Sequence, residues 1–162
     1  MRRTSVKPAL FTIVSGGQTG VDRAALDAAI DCRIPPGGWC PRGRLAEDGV
    51  IPKKYRLRQV TSSLYWVRTE RNVLDSDGTL ILYRQSKRGG TEFTYRMTRK
   101  HGRPVLLVDL TEPISPDQVW DWIADHQIQI MNVAGPRESS APGIRQEAYA
   151  YLSQLFTALP TQ

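Results

Sequence analysis

The chain has 162 residues, of which 40% are hydrophobic and 23% charged, and its formal net charge at pH 7 is +6. This length suits one folded unit, and we predict a single domain over residues 1–162 with an ordered core at about 9–157. No apolar run is long enough to cross a bilayer or to form a signal peptide, so we expect a cytoplasmic protein without a membrane partner. The two cysteines and two histidines fit neither a disulfide framework nor a zinc pattern.

Apolar runs and helical periodicities alternate along the chain. In chain order we predict a strand at 9–14, a helix at 19–30, a helix at 68–74, a strand at 78–84, a helix at 91–100, a strand at 104–110, a helix at 115–125 capped by Ser115, a strand at 128–135 and a helix at 143–155. Apolar strands separated by helices are typical of a parallel sheet that is covered on both faces. We therefore predict an α/β fold, a Rossmann-like doubly wound domain with a mainly parallel sheet flanked by helices.

The segment from Ile34 to Pro52 interrupts this pattern with prolines and glycines. A long irregular segment in a compact domain is usually functional or mobile. The sequence leaves open whether this segment closes over a ligand or packs against a neighbouring subunit. Trp39 within it suits a stacking platform or, as we favour, core packing, because tryptophan is usually largely buried.

Two of the predicted strands end in glycine-containing turns that open helices. Glycines let a backbone approach a ligand closely, and the helix behind such a turn offers free N–H groups to an anion. In doubly wound folds, ligands bind at the carboxyl ends of the strands. We therefore predict a phosphate- or oxyanion-binding site in two parts, formed by Ser15, Gly16, Gly17, Gln18, Thr19 and Gly20 in the first turn and by Gly89, Gly90 and Thr91 in the second. A bulky residue at Gly17 is expected to abolish binding and to leave the fold intact.

Arginines and one asparagine are further candidates for ligand binding. Arg68 and Asn72 lie one helical turn apart, and their side chains suit an oxyanion and the edge of a ring, while Arg88 could neutralise charge beside the second turn. The stretch from residue 84 to 103 carries seven basic residues and a single acid. This surplus favours a small anionic ligand and makes nucleic acid a less favoured partner. Asp22 lies in the first turn of its helix, where the dipole favours a carboxylate whether or not it orients Gln18 or a ligand.

The first turn does not match the common nucleotide motifs. Aligned with G-x-G-x-x-G it has Gly17 and Gly20, but Ser15 takes the place of the first glycine. About 20 residues further on, where an acid would bind a ribose, the chain reads PPGGWCP. No Gly-Lys-Ser/Thr follows the glycines, so a P-loop is excluded as well. We expect neither NAD as a cofactor nor a metal bound directly by side chains.

Five stretches in series resemble the family of molybdenum carriers, which contains the molybdenum-cofactor carrier proteins: SGGQTGVDRAALDAA, GGWCPRGRLAEDGVIP, RTERNVLDSDGTLIL, GGT and NVAGPRES. The resemblance extends from about Phe11 to Tyr151. It places the chain in the wider Rossmann-like group of lysine-decarboxylase-like proteins, which are nucleotide phosphoribohydrolases. It implies a homo-oligomer, dimer or tetramer, that holds molybdenum cofactor or molybdate without transforming it, with molybdoenzymes as the candidate recipients of the cofactor.

The enzymatic relatives share the motif PGGxGTxxE, whose glycines hold a ribose phosphate and whose glutamate promotes N-glycosidic cleavage. In the matching stretch KRGGTEFT, Arg88 replaces the proline, and Thr94 stands where the final glutamate belongs. Because that acid is missing, the resemblance implies a binding protein and not an enzyme. A nucleotide phosphoribohydrolase and a non-catalytic nucleotide sensor are the alternatives left open, and nucleic-acid binding ranks last.

Overall fold

The computed structural model describes residues 12–86 and 89–158. In chain order its elements are β1 (Thr12–Val14), α1 (Val21–Asp31), β2 (Pro36–Gly37), β3 (Trp39–Cys40), β4 (Leu45–Ala46), β5 (Gly49–Val50), β6 (Arg58–Gln59), α2 (Tyr65–Leu74), β7 (Gly78–Tyr83), α3 (Gly90–Lys100), β8 (Val105–Asp109), α4 (Pro116–Asp125), β9 (Ile130–Ala134) and α5 (Ile144–Thr157). Five strands form one parallel sheet in the order β2-β1-β9-β7-β8. The predicted α/β fold with a parallel sheet flanked by helices is confirmed.

The boundaries of the predicted elements agree with the described structure to within a few residues, while positions 9–11 of the first predicted strand lie outside the described residues. The largest shift among the helix starts is in α2, which begins at Tyr65, three residues before the predicted start. The predicted cap of α4 is confirmed, because the Ser115 hydroxyl accepts the Gln118 N–H while the Gln118 side chain accepts the Ser115 N–H at 3.1 Å. None of the described helices is long and apolar enough to span a membrane.

The two faces of the sheet differ in polarity. Side chains alternate along each strand, so Leu80, Met131 and Val133 point into the larger core, where α1, α4 and α5 also contribute residues. Thr79 and Asn132 are register partners on β7 and β9 that point to the opposite face, and the Asn132 amide donates to the Thr79 hydroxyl at 3.3 Å. The second face is therefore polar at its centre, beside α3, which contacts both β7 and α2.

The segment predicted to be irregular folds against α1. It contains β2 to β5, and its residues Cys40, Ala46 and Ile51 share a second, smaller core with Leu26 of α1. The guanidinium of Arg44 donates to four backbone carbonyls, two of them those of Ile51 and Pro52, which ties the segment into a compact loop. The segment thus packs against α1 of its own chain.

The chain connections create a crevice at the carboxyl ends of the central strands. From β1 the chain passes through α1 to β2 on one side, and from β7 it passes through α3 to β8 on the other side. β9 lies between β1 and β7, where the two directions diverge. In doubly wound folds this point of divergence is where ligands bind.

Candidate functional site

A cavity of about 820 Å³ lies at this point of divergence. Its walls come from the turn after β1, from α2, from the segment between β7 and the first turns of α3, and from β9 with the loop that follows it. The volume falls within the range of about 300–1,000 Å³ that is usual for ligand pockets. No described residue of the segment 34–52 lines the cavity.

The cavity brings together some of the predicted site residues and not others. Seven of them line it: Gly16, Gln18, Arg68, Asn72, Gly89, Gly90 and Thr91. Four others of the first turn are not among the described lining residues: Ser15, Gly17, Thr19 and Gly20. Arg88 lies outside the described residues.

Gly17 and Gly20 of the first turn face other parts of the protein. Gly17 has φ +79°, and a Cβ placed there would lie 2.6 Å from Leu57 Cδ1 and 2.9 Å from Ile51 Cδ1. Gly20 has φ +78°, and its Cβ would lie 2.3 Å from the carbonyl oxygen of Pro136. The expectation that a bulky residue at Gly17 leaves the fold intact is therefore wrong, because that residue would be strained and would clash with two side chains of the smaller core.

Polar side chains of the first turn join it to two neighbouring loops. Gln18 Oε1 accepts the N–H of Thr19 at 3.0 Å and that of Glu47 at 2.9 Å. The Thr19 hydroxyl donates to the Glu47 carboxylate and accepts the Glu138 N–H at 3.1 Å. Hydrogen bonds from Ser139 and Thr19 hold the pKa of Glu47 below its ordinary value. Glu47 therefore acts as a negatively charged link between the first turn and the loop after β9.

Some of the backbone N–H groups in and beside the first turn are paired within the chain. The N–H of Gln18 donates to Asp22 Oδ2 at 3.2 Å, that of Thr19 to the Gln18 side chain, and that of Val21 to the Pro136 carbonyl at 3.2 Å. The Ser15 hydroxyl is buried and donates to the Val133 carbonyl at 2.8 Å. Several of the polar groups that the sequence suggested for an anion thus already have protein partners, whereas the N–H groups of Gly16, Gly17 and Gly20 have none among the described residues.

The second turn is open. Gly89 precedes α3 with φ +55°, and no side chain caps the helix. A Cβ placed at Gly89 or Gly90 would meet no atom of the described residues within 4 Å. Thr91 is only 3% exposed and lines the cavity, and its hydroxyl makes no hydrogen bond within the described part of the chain. The N-terminus of α3 therefore presents unpaired donors to open space.

Arg68 extends from α2 to a position directly over Gly16. Its Nη1 lies 3.0 Å from Asp22 Oδ2, and a Cβ on Gly16 would lie 1.5 Å from the same Nη1. Burial raises the pKa of the Asp22 carboxyl, and the charge of Arg68 partly offsets this rise. The role of Asp22 that the sequence left open is thus a structural one, since it holds Arg68 and the backbone of Gln18.

Two further arginines, which sequence reasoning did not select, line the cavity. Arg84 follows β7 and is held by Glu147, at 2.7 Å and 3.0 Å, and by the Pro142 carbonyl at 2.8 Å. Arg137 follows β9 and lies 3.6 Å from Glu47. The described lining residues thus include three arginines, and a carboxylate lies beside each of them. The sequence signal that could have identified both arginines as site residues is their position at the end of a strand.

Comparisons with known proteins agree with this geometry. Residues 13–156 match the family described as "Circularly permutated YpsA SLOG family". The chain belongs to this SLOG family. Among solved structures it is similar to the crystal structure of a protein named "Putative molybdenum carrier protein" from Syntrophus aciditrophicus SB, with 46% identity and a TM-score of 0.88 over 92% of this chain and 96% of that chain. A search of curated proteins gave no significant match. The resemblance to molybdenum carriers is confirmed.

Asn72 lines the cavity of this SLOG domain, but its side chain serves the fold. The amide oxygen accepts the Trp39 N–H at 2.8 Å, and the amide nitrogen donates to the Trp39 carbonyl at 2.9 Å. Trp39 itself is half-buried; its indole N–H donates to Asp75 at 2.7 Å, and the Arg71 guanidinium lies 4.8 Å from its ring centroid. The interpretation of Trp39 as core packing is therefore wrong, because arginine and not aliphatic side chains covers its ring.

The distribution of acids in the site bears on catalysis. Glu92, next to Thr91, is not among the described lining residues, whereas Thr94 is. The Thr94 hydroxyl donates to the Gly90 carbonyl at 2.9 Å. Within residues 12–86 and 89–158, no group of three or more His, Cys, Asp or Glu side chains could hold a metal ion.

Proposed function

We propose that the cavity binds a molybdenum-containing cargo through its phosphate or oxyanion groups and that the protein carries this cargo without changing it chemically. The observation that carries the proposal is the open N-terminus of α3 at the cavity wall. Further support comes from the name of the protein in the similar crystal structure, which is 46% identical to this chain.

The start of α3 has the properties of an anion site. The first N–H groups of a helix have no partner within the helix, and its dipole adds the equivalent of about half a positive charge there. At Gly89 and Gly90 no side chain of the described residues lies within 4 Å of the Cβ position. The free Thr91 hydroxyl adds a donor that can rotate toward an oxygen of the anion. A phosphate or a molybdate oxyanion fits this set of donors.

The remaining walls suit the rest of such a cargo. Molybdenum cofactor combines a pterin, a phosphate and a metal that bears oxygen atoms. The cavity offers the ring of Tyr65 and the amide of Asn132 along its length, and a volume of about 820 Å³. Arginine recognises oxyanions through its planar fork of donors. Molybdenum cofactor is therefore the cargo that we propose, with bare molybdate as the smaller alternative.

The carboxylic acids that line the cavity are the reason why we propose binding without catalysis. Asp22 is the one carboxylic acid among the described lining residues, and it is engaged by Arg68 and by the Gln18 backbone. Thr94, at the position of the glutamate in the phosphoribohydrolase motif, offers no carboxylate. General acid or base catalysis of N-glycosidic cleavage needs a carboxyl group that is free to reach the reacting bond. We therefore place nucleotide cleavage second.

Native mass spectrometry with quantification of molybdenum in the same sample tests the proposal. The protein is incubated separately with molybdenum cofactor, with molybdate and with adenosine monophosphate. We expect a stoichiometric adduct with the cofactor and no release of adenine from the nucleotide. Release of adenine would contradict the carrier function and identify an enzyme. The same spectra count the subunits, and we expect a homo-oligomer.

Two threonines of α3 provide a matched pair of variants. Thr91 lines the cavity with a free hydroxyl, whereas the buried Thr98 donates its hydroxyl to the Tyr95 carbonyl at 2.6 Å and is not a described lining residue. Loss of a hydrogen bond to a charged group corresponds to roughly tenfold or more in affinity. We expect T91V to weaken cofactor binding by about that factor and T98V to leave it unchanged. Equal affinities of the two variants would remove the start of α3 from the site.

A further inference from the structure

The contact between Gly16 and Arg68 gives this glycine a role that its sequence context does not suggest. A Cβ on Gly16 would lie 1.5 Å from Arg68 Nη1 and 2.5 Å from its Cζ, so the guanidinium occupies the space that any larger side chain would need. Unlike Gly17 and Gly20, Gly16 is not among the residues with positive φ. Its backbone conformation is therefore open to other residues, and the arginine accounts for the absence of a side chain.

Arg68 is held in place but is not fully paired. Its side chain is 14% exposed, and Asp22 binds it through Nη1 at 3.0 Å. Its Nε is buried and has no hydrogen-bond partner in the described structure. The ring of Tyr65, which also lines the cavity, has its centroid 5.9 Å from Arg68 Cζ. Because Nε is enclosed by protein, an anion in the cavity would bind the outer end of the guanidinium, where Nη2 also has no partner among the described residues.

The other two arginines of the cavity are arranged differently. Arg84 uses both edges of its guanidinium on Glu147 and on the Pro142 carbonyl. Arg137 has a side chain that is 53% exposed, and its Nε donates to the Ser140 hydroxyl at 3.2 Å. Arg68 is therefore the arginine of this set that combines burial, a fixed position and a free donor.

We propose that Gly16, by having no side chain, provides the space that the Arg68 guanidinium occupies (its seat), that Asp22 positions the guanidinium, and that Arg68 recognises an oxyanion of the cargo at the first turn. The identity of the anion rests on the proposed carrier function, whereas the position of the Arg68 guanidinium over Gly16 does not. The specificity of this end of the cavity then comes from a planar fork of donors, which suits tetrahedral oxyanions such as phosphate and molybdate.

A double-mutant cycle with G16A and R68A tests the seat. In the wild-type background, the new methyl group displaces the guanidinium from Asp22, so G16A should lower the urea midpoint of unfolding and weaken binding of inorganic phosphate and of molybdate about tenfold. In the R68A background the guanidinium is gone and Asp22 Oδ2, 3.0 Å from the Cβ position, is the close atom that remains, so G16A should have a much smaller effect on both quantities. Equal effects of G16A in both backgrounds would show that Gly16 does not serve to provide space for Arg68. If R68A does not fold, R68Q replaces it, because the shorter glutamine amide stops before the position over Gly16.

A control variant and a chemical rescue test recognition by Arg68. Arg71 lies on the same helix, pairs with Asp75 at 3.1 Å and does not line the cavity, so R71A should leave the affinity for phosphate and molybdate unchanged. Added guanidinium chloride at millimolar concentration should restore part of the affinity of R68A and none of that of T91V. If R68A binds both anions as tightly as wild type, recognition by Arg68 is wrong and the carrier function stands. If wild type binds neither anion, the carrier function fails. The unfolding midpoints still test whether Gly16 provides the space for Arg68.

Discussion

The two glycine turns of this SLOG domain look alike in sequence and differ in what their glycines contact. In the first turn, protein atoms fill the space beside each glycine: the Arg68 guanidinium at Gly16, Ile51 and Leu57 at Gly17, and the backbone of residues 136–138 at Gly20. In the second turn, no atom of the described residues lies within 4 Å of a Cβ at Gly89 or Gly90. The first turn thus uses its glycines for close packing, whereas no such packing is seen at the second.

This difference shows how a glycine motif is to be interpreted. A glycine allows close approach, but the local sequence does not say whether a ligand or another part of the same chain approaches. The polar groups follow the same division, because Gln18 and Thr19 bind Glu47 while the Thr91 hydroxyl has no described partner. An anion-binding role for a glycine turn therefore requires both open space and unpaired donors.

Substitution of Gly20 should give the largest effect on stability. Gly20 adopts φ +78° and ψ −129°, which strains any other residue, and its Cβ would lie 2.3 Å from a backbone oxygen that cannot move aside easily. Strain and overpacking each cost about 1–3 kcal/mol, so we expect G20A to lower the free energy of unfolding by about 3 kcal/mol or more. Urea denaturation measures this loss.

Gly90 provides the matched substitution in the second turn. It opens α3 into empty space and is not among the residues with positive φ, so G90A should change the free energy of unfolding by no more than about 0.5 kcal/mol. Its methyl group enters the cavity, and we expect weaker binding of molybdate. A G90A protein as unstable as G20A would show that the second turn is also packed, and the contrast between the two turns would be lost.

Asn72 should have the next largest effect, and it separates packing from binding within the cavity. N72A removes both hydrogen bonds to the Trp39 backbone and leaves two buried polar groups without partners. We expect a loss of roughly 2–3 kcal/mol in the free energy of unfolding, from urea denaturation. The affinity for molybdate, measured by calorimetry well below the unfolding transition, should be unchanged. Normal stability combined with weaker binding would make Asn72 a ligand contact.

The elements of the fold could be predicted because their signals are local. The apolar run at residues 78–84 is a strand whatever surrounds it, and Ser115 with Gln118 forms a capping box within one helical turn. The short strands of the segment 34–52 were missed, because they are only two residues long and depend on contacts with α1. Local pattern thus determines element type, and tertiary contact determines the rest.

The candidate site could be predicted only in part, for a related reason. Strand ends with glycines identified Gly16 and Gly90, since the carboxyl ends of parallel strands meet at one edge. The partners of Gly17 and Gly20 are distant in sequence, at Ile51 and Pro136, so their packing role could not be inferred. Arg84 and Arg137 lie at strand ends as well, but the sheet order that joins these ends is not visible in the sequence.

The smallest effect concerns the pH dependence of stability through Glu47, which links the first turn to the loop after β9. Its pKa is lowered in the folded protein by hydrogen bonds from Ser139 and Thr19. For a carboxyl group with a depressed folded pKa, the stabilisation is present above the ordinary value of 4.5 and is lost as the pH falls through the folded pKa. The difference in stability between wild type and E47Q should therefore be largest near neutral pH and should shrink in acid.

Urea midpoints of both proteins, measured from neutral pH down through the acid range, test this dependence. E112Q is the control, since it removes the same charge at an exposed position and should run parallel to wild type. A difference between wild type and E47Q that does not vary with pH would mean that the Glu47 contacts are equally strong when its carboxyl is protonated. The link between the first turn and the loop after β9 would then owe nothing to charge. Because no such carboxylate engages Thr91, T91V should leave the pH profile of stability as it is in wild type.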